Sequence, residues 1–328
     1  MNMNYATIGT SWIIQSYIKS AEFTGKWTLY AVYSRNDETA KAFAEKNNAE
    51  KYYTDLSELA SDKNIDAVYI GSPNALHYEQ SKMMLLAGKH VICEKPATVT
   101  KDEYAELLEL AKKNDCIYME AIMSVHVPPM QLLKDRIGSI GRISAAHIDF
   151  CQLSSKYPAL LRGELPNIFN PELCTGALMD LGVYNLYLAV SLFGKPQKVI
   201  SCSSFLETGA DYATSAIFVY PDKQISVLCA KTGQGFSASE IIGDLGTIGI
   251  DSVSQLTGIT FRKKGSDSIE EWVPFDIDRT LIMSYESESF YNYITDGSHC
   301  YDYENMHKLA LDVREICDEI RKQNNFPF

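Results

Sequence analysis

The chain has 328 residues, with 42 acidic side chains against 30 basic ones and a formal net charge of −12. That acidity excludes sequence-independent nucleic-acid binding, which needs a basic face. The length exceeds one ordinary core and predicts two domains, and the 46% hydrophobic content is that of a globular protein.

The eight cysteines are scattered, without a C-x-x-C pair. Cys93, Cys202 and Cys229 lie in apolar runs and read as buried free thiols, not as disulfides or metal ligands, which points to a reducing cytoplasm. The N-terminus shows no basic-then-apolar leader, and no apolar run reaches the roughly 18 residues of a membrane span.

Residues 3–8 predict an apolar strand that turns through Gly9-Thr10-Ser11-Trp12-Ile13-Ile14 into a helix ending near Phe23. Strand, glycine turn and helix N-terminus make the pyrophosphate site of a dinucleotide fold. Of the G-x-G-x-x-G fingerprint only Gly9 is present. Ser11 and Ile14 take the other glycine positions, so a plain strand–helix turn is the competing reading. Residues 27–33 predict a second strand ending in Ser34-Arg35-Asn36, where an acid would grip the ribose of NAD. Arg35 suits the 2′-phosphate of NADP instead, against the alternative of a solvated arginine at a helix start.

Asp55-Leu56-Ser57-Glu58 resembles a capping box. Residues 65–70 read as a continuous apolar strand of a sheet covered on both faces. Gly71-Ser72-Pro73-Asn74 follows and opens a helix carrying His77, a residue as well suited to a core as to a ligand. That helix, 75–87, stops at Gly88. Strand 90–93 then delivers Glu94-Lys95-Pro96 to its carboxyl end, where ligands gather in open α/β sheets. Thr100-Lys101-Asp102-Glu103 caps a helix to about Asn114, and a strand at 116–119 ends the alternation. Read as six strands, the pattern predicts a doubly wound parallel sheet.

Near Glu120 the rhythm changes. Val127-Pro128-Pro129 breaks the chain before a helix at 130–137. Alternating runs at 142–153, 198–206, 212–220 and 224–231 predict antiparallel strands of one large sheet with a single buried face, Pro221-Asp222-Lys223 forming a hairpin turn. Between them, residues from Gly176 to Phe193 predict one continuous helix. Asp180 and Tyr184 are four apart and share a helix face, and beside a lysine they would form a proton-handling set. Without the lysine, an amphipathic core helix is the simpler reading. Helices are predicted at 281–295 and 304–322. The expected domains are 1–121 and 122–328, with a C-terminal helix at about 304–323 docking back on a core.

In this order the motifs resemble those of the Gfo/Idh/MocA oxidoreductases. Ala87-Gly88-Lys89-His90-Val91-Ile92-Cys93-Glu94-Lys95-Pro96 fits the family signature A-G-K-H-V-x-x-E-K-P. Ser72-Pro73-Asn74 with His77 fits the preceding loop, and Ser34-Arg35 the second strand end. Gly176-Ala177-Leu178-Met179-Asp180-Leu181-Gly182-Val183-Tyr184 fits the helix G-x-L-x-D-x-G-x-(H/Y). Tyr184, where many members have His, together with Met119-Glu120-Ala121 and Asn170-Pro171, is more similar to the dihydrodiol dehydrogenase and glucose–fructose oxidoreductase branch.

The resemblance implies an N-terminal Rossmann domain and a C-terminal α/β domain built on a large, mostly antiparallel sheet. It implies NADP, or NAD, bound by Gly9, Thr10, Ser11, Trp12, Ile13, Ser34, Arg35, Ser72, Pro73, Asn74, His77, Glu94 and Lys95. It implies hydride transfer to or from a sugar, polyol or related hydroxyl or carbonyl compound, without a metal. Lys95 and Tyr184 would handle the proton, with Asp180 orienting both or binding another hydroxyl. A free tyrosine titrates near pH 10, and a nearby ammonium stabilises its phenolate. Tyr157, Arg162, Asn167 and Phe169 precede the catalytic helix and are candidates for the pocket wall. A homodimer or higher oligomer is expected, with no nucleic-acid or membrane partner. Two other readings keep the fold: a non-catalytic dinucleotide sensor, and a glycosidase that recycles NAD.

Overall fold

The structure is a computed structural model and describes residues 2–297 and 301–328. Strands and helices alternate in the first part: β1 (Met3–Ile8), α1 (Trp12–Thr24), β2 (Trp27–Tyr33), α2 (Asp37–Lys46), β3 (Lys51–Tyr53), α3 (Leu56–Ser61), β4 (Ala67–Ile70), α4 (His77–Leu86), β5 (His90–Glu94), α5 (Lys101–Lys113) and β6 (Tyr118–Ala121). All six strands pair in parallel, in the order β3-β2-β1-β4-β5-β6. The central strands are apolar on both faces because helices cover both, and Ala67, Val68, Tyr69, Ile70 and Val91 are fully buried. The strand order reverses between β1 and β4, so their carboxyl ends border a crevice. Side chains start the helices: Asn36 caps α2, Asp55 caps α3, and Thr100 with Glu103 closes a reciprocal box on α5.

The second part contains α6 (Pro128–Arg136), β7 (Ile143–Cys151), α7 (Tyr157–Leu161), α8 (Val183–Phe193), β8 (Lys198–Phe205), β9 (Asp211–Val219), β10 (Gln224–Ala230), β11 (Ser239–Gly243), β12 (Gly246–Ser252), β13 (Thr257–Lys263) and β14 (Glu270–Val273), then α9 (Arg279–Asp296) and α10 (Tyr301–Gln323). Its eight strands form one sheet in the order β14-β13-β12-β11-β7-β10-β9-β8. Pairing is antiparallel except between β7 and β10, which run parallel, so the sheet is mostly antiparallel, as expected, and only that pair departs from the antiparallel reading of the alternating runs.

The chain divides into two compact units. One runs to Ile122 and takes back Asp278–Lys308; the other comprises Met123–Ile277 and Leu309–Phe328. The first unit thus includes α9, a segment that the sequence reading gave to the second domain. Packing explains the return. Trp27 stacks on Phe290 at 5.5 Å, and its indole N–H donates to the Ser287 carbonyl at 3.2 Å. The Tyr303 hydroxyl exchanges hydrogen bonds with the backbone N–H and C=O of Tyr118, at 3.0 and 3.1 Å. In the second unit Gln323 pairs with the backbone of β8, accepting from Ser201 N–H and donating to Val199 C=O, each at 2.9 Å.

Cys202 was expected to be buried but is exposed, because β8 turns alternate residues outward. Pro171–Phe193 is the one segment among the described residues long and apolar enough to cross a membrane, with mean hydropathy 1.4. Its apolar 18-residue window is 78% buried inside the protein, as a core helix would be.

Candidate active site

In the first unit the predicted cofactor residues lie at the carboxyl ends of neighbouring parallel strands. Gly9 follows β1 with φ of +114°, and a Cβ there would stand 3.0 Å from the Gly71 carbonyl oxygen, so only glycine fits. Ser11 is the N-cap of α1, its hydroxyl unused in capping, and the first turn carries no acidic residue. The backbone N–H groups there are therefore free of a competing carboxylate and suit an anion.

The missing third glycine has a structural explanation. That glycine normally lets helix and strand pack closely. Here Ile14 is fully buried, and Gly71, at the end of β4, supplies the space: a Cβ on Gly71 would lie 2.5 Å from Ile14 Cδ1. The close approach is kept and the glycine has moved to the neighbouring strand. With Gly9 as a cradle, a helix start clear of acids and Arg35 exposed after β2, the residues fit a dinucleotide.

The Glu94-Lys95-Pro96 segment leaves β5 through a cis Lys95–Pro96 bond. Lys95 is half-buried. Glu94 accepts a hydrogen bond from the buried Tyr69 hydroxyl, and burial raises its carboxyl above the usual range, opposed by the Lys95 charge. The Ala97 N–H donates to the buried Glu120 carboxylate at 2.9 Å, which fixes the turn after the proline. His77 sits between the two loops. Its ring is buried, with Nδ1 2.9 Å from the Pro96 carbonyl oxygen and Nε2 2.7 Å from that of Ser72. Both nitrogens lie within hydrogen-bond distance of backbone carbonyls, and the neutral ring donates to one of them, so the ring bridges the Ser72 loop and the lysine loop.

In the second unit the predicted continuous helix begins differently. Gly176 is not helical, with φ of +140°, and its missing Cβ leaves room for the Asp211 carboxylate. Asp211 accepts from Leu178 N–H at 2.8 Å and from the Thr214 hydroxyl at 2.9 Å. Residues Leu178–Gly182 then form a π-helical turn before α8. Such turns recur at functional sites. Asp180 lies within the turn and Tyr184 in the first turn of α8. Tyr184 is 8% exposed and packs edge-on against Phe150 at 5.8 Å. Asp180 forms an ion pair with Lys231, just past the end of β10. The lysine is the more enclosed partner, its side chain 6% exposed against 29% for the aspartate.

The proposed pocket wall divides. Phe169 is fully buried and meets the Tyr157 ring at 6.2 Å, so it is a core residue, a correction to the expectation. Arg162 is exposed and pairs with Glu164, and the Asn167 carbonyl accepts from Thr175. Among the described residues no cluster of His, Cys, Asp or Glu could hold a metal ion. Sequence reasoning missed Lys231 and Asp211. Lys231 had a signal: a lysine closing an otherwise apolar strand, like Lys95 after β5.

Comparisons with known proteins show the family. Residues 3–122 match the oxidoreductase family with an NAD-binding Rossmann fold, and residues 131–249 match the GFO/IDH/MocA C-terminal domain. The chain is 36% identical over 321 residues to scyllo-inositol 2-dehydrogenase (NADP(+)) IolU of Bacillus subtilis (strain 168), covering 98% of this chain and 97% of that one. It is 32% identical over 197 residues to trans-1,2-dihydrobenzene-1,2-diol dehydrogenase of Mus musculus, covering 59% of this chain and 57% of that one. In fold it is similar to the 3-ketoreductase KijD10 of Actinomadura kijaniata, in complex with NADP and TDP-benzene, with a TM-score of 0.86 at 20% identity, covering 99% of this chain and 98% of that one. The chain belongs to the GFO/IDH/MocA family and is an NAD(P)-dependent oxidoreductase.

Proposed function

We propose that this enzyme interconverts a secondary hydroxyl and a ketone on an inositol, a sugar or a related polyol, with NADP preferred over NAD. The observation that carries this reading is the end-to-end similarity to an NADP-dependent inositol dehydrogenase. The strand end supports the cofactor choice, since Ser34-Arg35-Asn36 offers a guanidinium and no acid to a ribose phosphate.

When bound, the nicotinamide accepts or returns a hydride at the carbon that changes oxidation state. The protein must then move the hydroxyl proton. We assign that proton to the Tyr184 phenol. Lys95 holds the reacting oxygen and stabilises the phenolate through its charge. Asp180 orients a hydroxyl of the substrate, and Lys231 fixes the aspartate by pairing with it inside the second unit. His77 and Glu120 set the loop from which Lys95 projects.

We also propose a cytoplasmic homo-oligomer. Seven described cysteines are free thiols. Ile200 and Ile217 are register partners on β8 and β9, and they are 50% and 37% exposed, an apolar pair on an open sheet face.

The test is a panel of inositols, sugars and polyols incubated with NADP+ or NAD+, followed by the absorbance of reduced nicotinamide. Turnover of at least one polyol, faster with NADP+, is expected. Tight binding of the dinucleotide with no turnover of any of them would favour a sensor and contradict the proposal.

A further inference from the structure

Arg279 opens α9 and belongs to the same unit as the glycine loop. Its guanidinium carbon lies 5.1 Å from the centre of the Trp12 ring. Trp12 is the first residue of α1 and is 67% exposed. The stack therefore places a positive charge beside the helix start that faces a dinucleotide's diphosphate. An arginine against an indole face is held flat, with its N–H fork preorganised for phosphate oxygens. The Nε atom of Arg279 is buried and has no hydrogen-bond partner among the described residues.

The surroundings explain why a cation is held there and suggest a second role. Glu94 and Glu286 both feel the Arg279 charge, which opposes the rise that burial causes in their carboxyls. Glu286 is 1% exposed, and its Oε2 has no hydrogen-bond partner among the described residues. Arg279 could thus serve only as a counter-ion. The glycine loop argues for more. With Ser11 at the second glycine position, the backbone cannot approach a diphosphate as closely as the full fingerprint allows. A side-chain cation beside the loop offsets that lost contact.

We infer that Arg279, held against Trp12, binds the diphosphate of the dinucleotide and compensates for the incomplete glycine loop. This rests on the family's dinucleotide chemistry and names a residue outside the glycine fingerprint for it. The contact is common to NADPH and NADH, unlike that of Arg35, which addresses only the 2′-phosphate.

The test is equilibrium binding without substrate. Wild-type protein, Arg279→Met and Arg279→Lys are titrated with NADPH and with NADH at several salt concentrations. Tryptophan fluorescence reports binding, and thermal melting checks the fold. Loss of one charge-assisted contact predicts about 10- to 100-fold weaker binding of both dinucleotides by Arg279→Met. It also predicts a shallower salt dependence, and partial recovery with Arg279→Lys. A second variant separates the counter-ion role: Glu286→Gln added to Arg279→Met removes the carboxylate that would need neutralising. Affinity that stays low in the double variant supports the inference. Affinity restored there, or an Arg279→Met protein that binds both dinucleotides like the wild type, overturns it. A wild-type protein that binds neither dinucleotide would overturn the cofactor assignment itself.

Discussion

Lys231 and Asp180 form an ion pair in which the lysine is the buried partner and the aspartate the one open to solvent. A lysine is seldom enclosed unless paired, because removing its charge from water is costly. Here the cost fixes a carboxylate one helical turn before Tyr184. Replacing Lys231 with Met should remove this cation from the carboxylate and cost about 1–3 kcal/mol of stability, less than for a fully buried pair because Asp180 is partly solvated. If ionised Asp180 is needed for turnover, the acid limb of the pH–rate profile should move to higher pH, since a carboxylate that loses its cation protonates more readily. Lys231→Arg should restore much of both. Urea unfolding and a pH–rate profile check this. An unmoved acid limb would make Lys231 purely structural.

Gly71 and Ile14 exchange places with the usual glycine pattern, and that exchange can be tested. Gly71→Ala puts a methyl 2.5 Å from Ile14 Cδ1, an overpacking expected to cost about 1–3 kcal/mol. Ile14→Val deletes the clashing atom. The double variant should therefore be more stable than Gly71→Ala alone, a coupling visible in a double-mutant cycle by urea unfolding. Strict additivity would show that the two side chains do not share this space.

Asp211 links stability to pH in the second unit. Burial raises its carboxyl to about 6, and hydrogen bonds from Leu178 and Thr214 only partly oppose the rise. A pKa raised on folding means that the folded protein binds the proton more tightly than the unfolded chain. The stabilisation is therefore complete below the unfolded pKa of about 3.9 and is lost as pH rises through about 6. Two units correspond to at most about 3 kcal/mol. Asp211→Asn keeps an acceptor for the Leu178 N–H but cannot ionise. Its unfolding free energy should fall less than that of the wild type between pH 4 and about 7. Parallel curves for the two proteins would contradict this.

The fold was legible wherever local pattern carried the information. The apolar strands β1, β2, β4 and β5, the caps at Asp55 and Thr100, and the turn between β9 and β10 follow from short-range chemistry. The alternation predicts six strands but locates only five; β3 goes unlocated because a three-residue edge strand with two exposed positions has no periodicity to read. β11 to β14 escaped because Gly243, Gly246, Gly249 and Gly258 interrupt their apolar pattern, although most of them mark close packing against neighbours. The parallel pairing of β7 with β10 joins segments nearly 80 residues apart, and alternation cannot encode that.

The same division holds for the site. Glu94-Lys95-Pro96 and Asp180 with Tyr184 stand out as motifs because each group is contiguous or one turn apart. Lys231 and Arg279 act through partners distant in sequence, Asp180 and Trp12, so only the fold discloses them. His77 was visible as a motif, but its two carbonyl contacts were not.

The assignment of the proton to Tyr184 and Lys95 is the centre of this account. Its most direct test is single-turnover hydride transfer by Tyr184→Phe and Lys95→Ala, with NADPH affinity measured on the same samples. The account predicts that each variant binds NADPH as the wild type does, while transfer slows by about 10²-fold or more. Transfer at the wild-type rate in both variants would contradict it.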